Sequence, residues 1–234
     1  VGGKAVQTAW STRGSLRDLP VGWLERIGNT QLANLGLRGD LVLGGQWDAS
    51  SAQDLNLRVV LERTGGDLRM LGPDAQTAAL SAGLRDVRLV LAAHNENLGA
   101  TLIWDSLRAG QLNATASTRL PIKDGRWVWD PDAPLAGTLS ASLPPVGLWS
   151  VLAPPGWRLG GSVESDAVLS GTLGTPLWRG NLKAKDMAVR SVVDGIDFSQ
   201  GTLNAQLDGQ RLVIEAFSIR GAGGAQAGQL VLKG

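Results

Sequence analysis

Leu35-Gly36-Leu37-Arg38-Gly39-Asp40-Leu41-Val42-Leu43-Gly44-Gly45-Gln46-Trp47 sets Leu35, Leu37, Leu41, Leu43 and Trp47 on odd positions, with Arg38, Asp40 and Gln46 between them. A period of two points successive side chains to opposite faces, so the stretch predicts one half-buried β-strand with an apolar and a wet face. The pattern recurs at Leu55, Leu57, Val59 and Leu61, at Val87, Leu89 and Leu91, at Leu98, Leu102 and Trp104, and at Leu112, Ala114 and Ala116. It continues through Leu135, Leu139 and Leu143, then Leu159, Val163, Ala167, Leu169 and Leu173, then Trp178, Leu182 and Ala184. Leu203, Ala205 and Leu207, followed by Leu212 and Ile214, close the series. With weaker segments at 6–10, 68–70, 127–129 and 230–232, the alternation predicts about fourteen strands.

The breaks carry turn chemistry. Thr64-Gly65-Gly66-Asp67, His94-Asn95-Glu96-Asn97, Asp124-Gly125, Gly174-Thr175-Pro176, Asp194-Gly195 and Asp208-Gly209 each separate two alternating runs, the pattern of hairpins. Connections this short cannot supply the crossover that a parallel sheet needs, so the sheet is expected to be mainly antiparallel. Two Pro-entered apolar stretches, 19–28 and 143–152, predict short helices, each followed by a Gly-spaced strand, and 74–82 predicts a third. The chain then divides into a first helix-plus-meander unit at 1–142 and a second at 143–234, continuous with the first.

Composition removes several function classes. The 22 Lys and Arg nearly balance the 21 Asp and Glu, so net charge gives no argument for nucleic acid. There is no Cys, which excludes disulfides and thiolate metal sites. No apolar run approaches the length of a membrane-spanning helix. The 234 residues hold 37 Leu, 32 Gly, 9 Trp and only 2 Phe, at a mean hydropathy of +0.02. Strands apolar on one face must hide it, ordinarily in a β-sandwich or barrel. Uniform Leu, Ala and Gly suit a fluid filling better than an interlocked core, which favours a long sheet curled into a trough for hydrocarbon chains. At roughly 4.8 Å per strand, fourteen strands extend about 67 Å.

The stretch Leu169-Ser170-Gly171-Thr172-Leu173-Gly174-Thr175-Pro176-Leu177-Trp178-Arg179-Gly180-Asn181-Leu182 resembles the repeating grammar of the TamB family, within the AsmA-like group of bridge-like lipid-transfer proteins. Gly201 to Ile214 and the glycine-rich turn at 221–224 extend that resemblance, which is best over 159–234 and reaches, through the repeated helix-strand unit, over 19–158. It implies an all-β, β-taco-like groove in the periplasm of a Gram-negative cell, on a long protein held in the inner membrane by an anchor that lies outside this chain. It further implies phospholipid acyl chains as cargo, the outer-membrane barrel TamA as partner of the full-length protein, support of outer-membrane protein assembly, and no catalysis. The expected groove lining comprises Leu35, Leu37, Leu41, Leu43, Leu57, Val59, Leu61, Val87, Leu89, Leu91 and Leu102. Its later part comprises Leu112, Leu139, Leu159, Val163, Leu169, Leu173, Leu182, Leu203, Leu207, Leu212 and Ile214.

Other motifs are weaker. His94 is the single His and has no second His or Cys with which to hold zinc, and no Gly-x-Ser-x-Gly elbow accompanies it. Asp130-Pro131-Asp132 has too few ligands for calcium and is expected to form a proline turn. Trp127 and Trp129, two residues apart, could stack on sugar rings, so a secreted β-sandwich carbohydrate-binding module is the second reading. No metal or cofactor is expected.

Overall fold

The computed structural model describes residues 9–23, 37–51, 55–70, 80–123, 126–144, 156–191, 193–221 and 228–234. Its strands, in chain order, begin with β1 (Trp10–Pro20), β2 (Leu37–Gly39), β3 (Val42–Ser51), β4 (Leu55–Gly65), β5 (Leu68–Met70) and β6 (Leu80–Ser81). There follow β7 (Leu84–His94), β8 (Asn97–Ser106), β9 (Gly110–Arg119), β10 (Ile122–Lys123), β11 (Arg126–Trp127) and β12 (Leu135–Leu143). The last are β13 (Trp157–Gly171), β14 (Pro176–Ser191), β15 (Ile196–Gly209), β16 (Arg211–Gly221) and β17 (Gln229–Lys233). Twelve of them form one antiparallel sheet, ordered β1-β3-β4-β7-β8-β9-β12-β13-β14-β15-β16-β17, open at both ends and not closed into a barrel. The expected class, all β and mainly antiparallel, is the one observed. Eleven interstrand spacings of about 4.8 Å make this sheet roughly 53 Å across.

Most register shifts lie toward one long rim, a further one, at Asn204/Ala205, falling mid-strand in β15. They occur at Leu16/Leu19 in β1, Val42/Leu43 in β3, Leu84/Asp86 in β7, Gly160/Ser162 in β13, Ala184/Met187 in β14 and Ser199/Thr202 in β15. A bulge bends its strand and increases local twist, so bulges placed along one rim curl the sheet there. At the same rim a three-stranded sheet, β2-β5-β6, accompanies a buried cluster of Leu41, Leu43, Leu68, Ala82, Leu84 and Ala109. Leu61, Val87 and Trp104 of the large sheet pack against that cluster.

This corner corrects the opening stretch. Leu35 lies outside the described residues, and 37–47 is not one strand: β2 and β3 belong to different sheets. The break is held by Asp40 and Asp67, because the Asp40 amide donates to the Asp67 carbonyl (3.1 Å) and the Asp67 amide donates to Asp40 Oδ1 (3.1 Å). Leu37 therefore pairs with Met70 in the small sheet, while Leu41 turns into the buried cluster. Thr64-Gly65-Gly66-Asp67 is likewise no hairpin of the large sheet, since β4 pairs with β7. Gly66 has φ +65°, and a Cβ there would stand 1.8 Å from the Asp40 carbonyl oxygen, so only glycine fits this corner.

Other expectations shift. Leu19 and Pro20 close β1, and Val21–Trp23 form a single 3-10 turn where a helix was expected, the rest of that stretch lying outside the described residues. Leu143 ends β12, and 145–152 lies outside the described residues, as does 71–79, whose expected helix is replaced at its end by β6. β1 begins where the weak segment 6–10 was expected to end. β13 stops at Gly171, so Leu173 sits in the following turn, its amide donating to the Ala133 carbonyl (3.0 Å).

Close strand approach sets two further glycines. A Cβ at Gly137 would lie 2.2 Å from the Thr115 carbonyl oxygen, and one at Gly180 would lie 2.2 Å from that of Asp166. Backbone cannot yield as a side-chain tip can, so Gly137→Ala and Gly180→Ala are each expected to cost about 2–3 kcal/mol. Urea unfolding checks this as a lowered midpoint at unchanged slope.

Candidate functional site: the apolar face

The register joins the alternating Leu positions into rows that cross the strands. One row runs Leu16, Gly45, Leu61, Leu89, Leu102, Ala114, Leu139, Ala167, Gly180, Leu207, Leu212, each paired with the next on the neighbouring strand. It contains no polar side chain across eleven of the twelve strands. A second row runs Gly14, Trp47, Val59, Leu91, Ala100, Ala116, Gly137, Leu169, Trp178, Gly209. A third carries Val87, Trp104, Leu112, Ala141, Ser165, Leu182, Ala205 and Ile214. Val163, Ala184, Leu203 and Phe217 follow on the curled rim.

Small residues stand beside large ones at several places in these rows. Ala114 lies between Leu102 and Leu139, Gly137 lies beside Leu169, and the Trp47 ring lies over Gly14. This explains why Ala141, Ala167, Ala184 and Ala205 are buried while the intervening residues of the same strands are exposed. Each Trp of the second row faces glycine: Trp47 covers Gly14, and Trp178 pairs with Gly209. Among the described residues, the strands β2-β5-β6 and β10-β11 form separate small sheets, and the large sheet is not closed on itself.

Polar groups that enter this face are mostly neutralised locally. Ser165 Oγ donates to the Asn181 carbonyl (3.0 Å), and Arg63 donates through Nε and Nη2 to the Gly66 carbonyl (3.0 and 2.7 Å). Thr118 Oγ1, between Leu98 and Leu135, is buried with no hydrogen-bond partner. The opposite face is held by polar cross-strand contacts: Thr115 with Thr138 (2.8 Å), Ser140 donating to Asp166 (2.8 Å), Thr202 with Ser218 (2.9 Å) and Gln206 donating to Glu215 (2.5 Å). A shallow depression of about 550 Å³ crosses that polar face, lined by Thr101, Thr115, Thr138 and Val168 on one side and Ile103, Asn113, Ser140 and Asp166 on the other.

The structure therefore brings Leu57, Val59, Leu61, Val87, Leu89, Leu91, Leu102, Leu112, Leu139, Val163, Leu169, Leu182, Leu203, Leu207, Leu212 and Ile214 onto one surface. Leu159 pairs with Val189 beyond the bulge at 160–162, and Leu41 and Leu43 belong to the covered corner. The alternation alone missed Leu16, Gly45 and Gly180 of the first row, which lie in phase with the leucines. The other candidates separate. His94 is exposed with Nδ1 2.8 Å from Asn56 Oδ1, and among the described residues no three His, Asp or Glu stand together to hold a metal. Trp127 is half-buried in the β10–β11 hairpin, Trp129 follows it outside any strand at 65% exposure, and the Lys123 ammonium, 2.8 Å away, holds the Asp130 carboxyl below its usual range.

Comparison with known proteins finds no matching family model, no matching curated protein and no matching solved structure.

Proposed function

We propose that this chain is a non-catalytic segment of a TamB-like, periplasm-spanning protein, and that its apolar face carries phospholipid acyl chains between the inner and outer membranes. The observation that supports this reading is the unbroken apolar row from Leu16 to Leu212, which offers hydrocarbon a track with no buried polar group to satisfy. Transfer of acyl chains onto it gains roughly 0.8 kcal/mol per buried methylene. Contact with TamA and support of outer-membrane protein assembly belong to the full-length protein in this proposal.

Photoreactive residues at Leu89, Leu139 and Leu207 are expected to crosslink phospholipid, and those at Arg88, Ser140 and Gln206, one residue away on the polar face, to give little product. Equal labelling of both sets would defeat the assignment, because adjacent strand positions point to opposite faces. Native mass spectrometry after gentle extraction supplies the second check. Co-purified phospholipid supports the reading, whereas a lipid-free chain that binds oligosaccharide supports the carbohydrate module.

A further inference from the structure

On the reading of the apolar face as a lipid track, we propose that the Thr118 hydroxyl binds the ester carbonyl of a glycerolipid and holds the head-group end of the cargo at the rim of β8 and β9. Among the described residues, Thr118 Oγ1 is the one buried side-chain oxygen or nitrogen without a hydrogen-bond partner. Other buried hydroxyls are answered within the chain. Ser106 Oγ donates to the Ala82 carbonyl (2.6 Å), Ser165 Oγ to the Asn181 carbonyl (3.0 Å) and Ser191 Oγ to Asp194 Oδ2 (2.6 Å). A buried hydroxyl left unpaired destabilises the fold, so Thr118 calls for a partner that folding does not supply.

The position of Thr118 suits that partner. It stands in the row Leu57, Ala93, Leu98, Thr118, Leu135, which on β7 and β8 is the last apolar row before the turn at Asn95-Glu96. One residue further along each strand, His94, Asn97 and Arg119 pair across β7, β8 and β9 and point to the opposite, polar face. Thr118 therefore separates apolar floor from polar side chains, the order in which a glycerolipid presents tails, ester and head group. On β9, Ala116, Ala114 and Leu112 continue from Thr118 along the apolar face, a run of about 20 Å at the usual rise of a strand. Half the hydrocarbon core of a bilayer is about 15 Å, so a tail fits within this run. Leu98 and Leu135, on either side of Thr118, are only half-buried, so cargo reaches the hydroxyl by turning a side chain and moving no backbone. The hydroxyl then donates to the carbonyl oxygen. A dialkyl ether lipid has the same tails and head group and no such carbonyl.

Competition between the two lipid types tests this. The whole chain is mixed with vesicles holding equal amounts of diacyl and dialkyl phosphatidylcholine of matched chains, then separated, and its bound lipid is read by mass spectrometry. Wild type is expected to take up the ester lipid about fivefold over the ether lipid. Thr118→Val keeps the shape and removes the hydroxyl, so it should bring that ratio to about one with ether uptake unchanged, while Thr118→Ser should retain the preference. The lipid-free Thr118→Val chain should also melt about 3 °C higher than wild type, because it no longer buries an unpaired hydroxyl. Discrimination lost together with stability gained is a pair that a merely structural role of Thr118 does not produce. A wild-type ratio near one, or a preference that survives Thr118→Val, overturns the proposal and leaves the lipid track standing. A lower melting temperature for Thr118→Val overturns it as well, since the hydroxyl would then have its partner within the chain. Uptake of neither lipid overturns the proposal together with the reading on which it rests.

Discussion

Leu169→Arg is expected to abolish phospholipid binding while the chain stays folded. Leu169 is 8% exposed and sits between Gly137 and Trp178 in the second apolar row. A guanidinium among hydrocarbon chains costs several kcal/mol unless it reaches water, so acyl chains cannot lie across it. In a closed sandwich the same charge would be trapped and the fold lost. Here the long Arg stem can lie along the face and bring its head to solvent, since the large sheet is open and not closed into a barrel. The expected loss of stability is therefore about 1–3 kcal/mol. Leu89→Asp, between Leu61 and Leu102, repeats the test with a shorter side chain and the opposite charge. Ser140→Arg on the polar face is the control and should bind lipid as wild type does. Lipid extraction followed by mass spectrometry, paired with thermal melting, checks all three. A folded Leu169→Arg chain that carries lipid normally would remove the apolar face from the mechanism, and outright unfolding would mean that the row is roofed.

The alternation was legible because period two is itself a statement about faces: once Leu89 is inward, Leu91 and Val87 follow without any tertiary knowledge. Antiparallel pairing was legible from turns such as Asn95-Glu96 and Gly209-Gln210, which join consecutive strands. The corner at Asp40 and Asp67 was not, because the period of Leu37, Leu41 and Leu43 runs straight through it. Only a contact between residues 27 apart in sequence divides that run between two sheets. β1 was largely invisible for a different reason. As an edge strand it puts Thr12 and Gly14 on the apolar face, so Trp10-Ser11-Thr12-Arg13-Gly14-Ser15 shows no hydrophobic alternation. Gly45, Gly137 and Gly180 escaped because glycine gives no hydropathy signal, although they lie in phase with the leucines of these rows.

Asp67→Ala is expected to have the largest effect on stability of any polar substitution in the corner. The Asp67 carboxylate accepts from the Leu68 amide (2.8 Å), the Gly83 amide (2.9 Å), the Leu84 amide (3.1 Å) and the Ser81 hydroxyl. It thereby ties β5 to the start of β7 and fixes where the small sheet meets the large one. Removing it strands several part-buried donors at about 1–3 kcal/mol for each that water does not reach, so a total near 3 kcal/mol is expected. Asp67→Asn keeps one acceptor oxygen and turns an NH₂ toward other donors, for a smaller loss of about 2 kcal/mol. Partial burial alone would raise the Asp67 carboxyl, but the hydrogen bonds from Ser81, Leu84, Gly83 and Leu68 outweigh it and hold it below the ordinary 3.8. A carboxyl lowered on folding contributes stability that is fully present above its unfolded value and is lost as pH falls through its folded value. Wild type should thus lose stability on acidification below about pH 4, and the difference between it and Asp67→Asn should narrow over that same interval. Urea unfolding of both chains at a series of pH values checks it. A difference that stays constant from neutral pH down into the acid range would mean that the charge of Asp67 contributes nothing and its shape everything.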